Sequence, residues 1–97
     1  MNHPRKKPKT YAVTIKVVGL AVVKTERAII NIEEALVGID GSIAVEWISD
    51  PHAMSRLGPL QLPSVFVNDE LKISGRIPSI HEIRLWVEEV LQETVSA

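Results

Sequence analysis

Few side chains in this 97-residue chain can carry chemistry, and their spacing excludes most reactions. There is no cysteine anywhere, so thiolate nucleophiles, disulfide exchange and thiolate metal sites are all ruled out. His52 and His81 have no second histidine at helical ligand spacing. A metal ion needs three or four converging ligands, so both read as solvated surface histidines, and neither a metal nor a cofactor is expected. Glu33-Glu34 and Glu88-Glu89 are adjacent on helical segments. Adjacent helical side chains diverge, so neither pair can act as an acid–base dyad. Thr25 has a hydroxyl but no histidine nearby in sequence to serve as its base. Arg76 reads as an exposed turn arginine. Gly38-Ile39-Asp40-Gly41 ends a helix instead of opening one, so it is no phosphate loop. The expectation is a protein that is not an enzyme.

The elements that would position these residues are clearer. Residues 11–18 alternate and are β-branched at Val13, Ile15 and Val17, with Gly19 as a stop, which predicts a strand. Residues 24–37 carry Ala28, Ile29, Ile32, Ala35 and Leu36 at helical spacing. Residues 42–48 form a second strand whose near-continuous apolar content predicts burial on both faces. Asp50-Pro51 is an N-cap followed by proline at the first helical position, opening a short helix that ends at Gly58-Pro59. Residues 63–67 and 71–74 flank Asn68-Asp69 as a hairpin. Ser79 with Glu82 makes a capping box for a last helix with Ile80, Ile83, Trp86, Val87, Val90 and Leu91 on one face. Trp47 and Trp86 read as core or half-buried anchors. The predicted class is α/β, in the order β-α-β-α-β-β-α, with a four-stranded mixed sheet and helices on both faces.

Charge divides the chain unevenly. Arg5, Lys6, Lys7 and Lys9 crowd the first nine residues with Pro4 and Pro8, while the remainder is acidic. Residues 1–10 are expected to be a disordered basic tail, and residues 11–97 a single domain. Four charges without an aromatic make a poor nucleic-acid footprint, and an acidic body argues further against one. No apolar run reaches the ~18 residues of a membrane span. The polar, lysine-rich start is not a secretory signal, so a cytoplasmic location is expected.

Residues 13–91 resemble the thioredoxin-like fold family, and within it the small proteins called redox-active disulfide protein 2. In that group a strand runs into Gly-x-x-Cys-x-x-Cys and a helix ending in Ala-Leu. A later Thr-Pro-x-x-x-x-Asn-Gly hairpin precedes Gly-x-x-Pro-Ser and the final helix. Gly19, Ala35 and Leu36 fit the first part of this frame, and Pro63, Asn68, Gly75, Pro78 and Ser79 fit the second. The resemblance places the two cysteines at Val22 and Thr25, and Leu62 where threonine usually precedes the proline. It also implies that Pro63 is a cis-proline facing the site.

Without cysteine the family's exchange chemistry is lost, but its peptide-facing geometry needs no thiol. The resemblance therefore implies a non-catalytic protein-interaction module, with Val22, Val23, Thr25, Leu62 and Pro63 as the binding residues. Its partner would be a protein, a peptide or another copy of the chain. The competing reading is a scaffold or regulatory subunit of a thiol–disulfide system whose cysteines come from a partner. Val22 and Val23 either share an exposed apolar patch with Leu62 or pack inward at the helix start.

Overall fold

The computed structural model describes residues 12–96, and the expected basic tail at 1–10 lies outside them. The elements are β1 (Val13–Val18), α1 (Val23–Ala35), β2 (Ile43–Ile48), α2 (Pro51–Ser55), β3 (Ser64–Val67), β4 (Glu70–Ser74) and α3 (Ile80–Ser96). They form one sheet in the order β2-β1-β3-β4. β1 pairs parallel with β2 and antiparallel with β3, and β3 pairs antiparallel with β4. The expected four-stranded mixed α/β sheet is present.

The alternation in β1 sends Val13, Ile15 and Val17 to one face, where Val65, Val67 and Ile73 join them. Ala28, Ile32 and Ala35 of α1 and Ile83 and Val87 of α3 close over this face. Fully burying one such aliphatic side chain contributes about 1.5–3 kcal/mol, so this layer is the main source of stability. Side-chain bonds also tie the helices to their surroundings, with Asn31 Nδ2 donating to Pro78 O at 2.9 Å and Arg84 Nε to Ala35 O at 3.1 Å. At the foot of the sheet, Asn68 and Asp69 take positive φ in the hairpin turn. Asn68 there accepts the Thr14 N–H at 2.8 Å and donates to Ala12 O at 3.2 Å, tying the turn to β1.

Three expectations need correction. β2 is not buried on both faces, since Val45, Glu46 and Trp47 are exposed, and it is an edge strand with β1 as its single neighbour. Of the two readings of Trp47, core or half-buried anchor, the core one is excluded, since the residue is 41% exposed with its indole N–H part-buried against Gly19 O. The helix predicted over 24–37 stops at Ala35, with Leu36 as its C-cap, and the chain then turns through Gly38 at φ +82°.

Candidate functional site

The loop from β1 into α1 is anchored at its start and open at its end. Gly19 donates its N–H to Ile48 O at 3.0 Å and accepts the Trp47 indole N–H at 2.9 Å. Val22 is the N-cap of α1, with extended backbone at φ −128° and ψ 168°, and it makes no side-chain cap bond. Valine has no acceptor, so the first helical N–H groups keep the orphan state that a helix start imposes. Val22 is 52% and Val23 79% exposed, and Leu20 beside them is also exposed. Both valines therefore point outward.

Thr25 behaves differently from the expectation that it belongs to the contact surface. It is only 1% exposed, and its Oγ1 has no hydrogen-bond partner. At the third helical position its side chain turns down onto Gly19, where an added Cβ would stand 2.5 Å from Thr25 Oγ1. The absence of a side chain at Gly19 is what admits the threonine. Pro63 is likewise fully buried, and its carbonyl accepts the Gly75 N–H at 2.9 Å. The Leu62–Pro63 peptide bond is cis. Of the five residues nominated from sequence, Val22, Val23 and Leu62 offer surface, whereas Thr25 and Pro63 lie beneath it.

Leu62 reaches the same end of the sheet through register. Val18 pairs with Ser64, so the residues before Ser64 run beside those after Val18. Leu62 is 38% exposed. Its neighbours are held firmly: Gln61 N–H meets Ser74 Oγ at 3.2 Å, and Gln61 O accepts from Ser64 Oγ at 2.6 Å and Ser74 Oγ at 3.0 Å. Between those fixed neighbours, the Leu62 N–H and C=O have no backbone partner among the described residues. An open groove of about 270 Å³ adjoins Leu62, lined also by Val18, Met54, Pro59 and Leu60.

Sequence reasoning missed two parts of this region. Ser74 bonds Gln61 and Ser64 across 13 and 10 residues, too far for any local pattern to connect, although the Ser64 bond to Gln61 O is local. Trp47 could have been flagged, since a half-buried indole N–H usually finds an acceptor, but sequence does not tell which one.

The other polar constellation lies at the start of α3. Arg76 forms a two-pronged pair with Glu82, at 3.1 Å and 2.7 Å. Ser79 and Glu82 cap each other reciprocally at 2.9 Å and 3.0 Å. The Arg76 bond first, then the Ser79 N–H, holds the Glu82 carboxyl down at about 2. Arg76 is raised in turn by its bond to Glu82. The Glu82 carboxylate is thereby satisfied on both oxygens by Arg76 and the Ser79 N–H, so the group serves as a clamp on the helix start.

Among the described residues, no cluster of histidine, aspartate and glutamate could hold a metal ion, and no helix is long and apolar enough to cross a membrane. Compared with protein families, residues 13–88 match the one described as Thioredoxin domain. No curated protein matches the chain.

Proposed function

The chain belongs to the thioredoxin-domain family, and on that premise we propose that it is a non-catalytic protein-interaction module. Its cysteine-free site would keep the family's peptide-facing surface without the exchange reaction. One observation carries this reading: an exposed valine on an uncapped helix stands where the resemblance to redox-active disulfide protein 2 puts the attacking thiol. A thiolate there would be stabilised by the helix N-terminus, whereas Val22 has nothing to ionise. Thr25 is no substitute nucleophile, being buried with no base in contact.

Val22, Val23 and Leu62 supply apolar surface, and the Leu62 main chain supplies an unused donor and acceptor. Together they suit an extended segment of a protein partner, paired through its backbone with apolar side chains on either side. Each apolar side chain, if fully desolvated, contributes about 1.5–3 kcal/mol before the costs of association.

The test is capture of a binding partner by the wild-type chain and by a Val23→Ser/Leu62→Ser variant, with and without dithiothreitol. The expected result is specific binding that survives reductant and is lost in the variant, whose thermal melt stays near that of the wild type. Insulin reduction by the pure protein should remain at background. Binding that disappears on reduction, or on blocking the partner's thiols, would instead assign the chain as scaffold to a partner's cysteines. Unfolding of the variant with no loss of binding before it unfolds would place these side chains in the core and sink the proposal.

A further inference from the structure

We propose that the outer edge of β2 is a self-association surface, on which a second copy of this chain pairs its own β2 antiparallel about a two-fold axis at Val45. This surface is separate from the one formed by Val22, Val23 and Leu62, and it stands on different observations.

The first is the direction of the main-chain groups. Val13 N–H bonds Ser42 O and Gly19 N–H bonds Ile48 O. With the parallel register between, these bonds turn the N–H and C=O of Ala44 and Glu46 toward β1. Those of Ile43, Val45 and Trp47 point outward, and they have no backbone partner among the described residues.

The second is a contrast between the two sheet edges. Exposed edges invite pairing, and proteins blunt them with charge, proline, irregularity or cover. β4 has such protection: its ladder shifts register at Val65/Phe66, and Lys72 and Glu70 pair along it at 3.3 Å. β2 has no proline, no lysine and no shift across its six residues. Its outward-bonding residues include the exposed Val45 and Trp47. The bond to Gly19 O holds the indole in one orientation, which lowers the ordering cost of a contact there.

The third is self-complementarity, which favours a second copy as the occupant. With the axis at Val45, Ile43 meets the second copy's Trp47 and Val45 meets Val45, an all-apolar row. Glu46 then lies opposite Ala44. Moving the register one step one way sets Glu46 against Glu46, a like-charge pair that costs stability. One step the other way sets Trp47 against Gly41 and removes its apolar partner. A single two-fold register satisfies both charge and burial.

The experiment is sedimentation equilibrium of the full chain up to about 1 mM, with amide exchange at the dilute and concentrated ends. The expected result is a concentration-dependent dimer, weakened at least about tenfold by Val45→Lys, which sets like charges face to face. The Ile43, Val45 and Trp47 amides should gain protection with concentration, whereas those of Ala44 and Glu46 should be protected throughout. Exchange on the wild type keeps the test valid even if the lysine variant folds poorly. A monomer at every concentration would overturn the proposal. So would a dimer abolished by Val23→Ser/Leu62→Ser with those three amides unprotected. Failure of the partner-capture experiment would leave this outcome unaffected.

Discussion

The starts of α1 and α3 are built on opposite plans. At α3, Ser79 and Glu82 satisfy one another's main-chain donors and Arg76 clamps the carboxylate, so charge, cap and dipole agree. At α1, the N-cap is a valine without an acceptor, the next residue is a more exposed valine, and the hydroxyl two residues on is buried without a partner. A buried unpaired hydroxyl and a missing cap each cost of order 1 kcal/mol. The molecule spends stability at the one end and secures it at the other. Such local inconsistency is characteristic of functional sites.

Three substitutions break or sharpen this contrast. The largest effect is expected from Gly19→Ala, whose Cβ would sit 2.5 Å from Thr25 Oγ1. Overpacking of this kind costs about 2 kcal/mol, or roughly 10 °C in Tm for a domain of this size. A thermal melt should show that loss, and adding Thr25→Ala should restore part of it. If the double variant melts no higher than Gly19→Ala alone, the two residues are not coupled as described.

Next in size is Val22→Asp, which would give α1 the cap it lacks. The extended backbone at Val22 already suits an N-cap acceptor, so the gain should be about 1 kcal/mol and Tm should rise by roughly 4–8 °C. Partner capture should fall at the same time, because a charge replaces apolar contact surface. A variant that gains stability and still binds would separate the uncapped helix start from function.

The smallest effect is expected at α3. Glu82→Gln should cost under about 1 kcal/mol at neutral pH, since the pair with Arg76 is partly exposed and screened by solvent. The Glu82 carboxyl is held at about 2, below its ordinary 4.5. A depressed carboxylate stabilises the fold above its unfolded value and loses that contribution as the pH falls toward the folded one. The difference between wild type and variant should therefore be full above pH 4.5 and gone near pH 2, as read by denaturant titration. A gap that persists at low pH would assign the effect to packing and not to charge.

Much of this was legible in the residues. The period-two run at Val13, Ile15 and Val17, the three-and-four spacing of Ala28, Ile32 and Ala35, and the box at Ser79 and Glu82 are local signals, and each specifies its element. Their order implied the mixed sheet, and the absence of cysteine settled that no thiol chemistry is possible. Which strand stood at an edge was not legible. A near-continuous apolar strand looks the same whether it has one neighbour or two and whether its faces are covered or open, and only the sheet order and the exposure of Val45 and Trp47 separate these cases. The inward turn of Thr25 had the same cause, because only the approach of a side-chain-free Gly19 opens the space it fills. Sequence alone determined the elements, through interactions between near neighbours along the chain. The tertiary structure decided which of their side chains meet solvent, since exposure depends on what distant segments bring against each face.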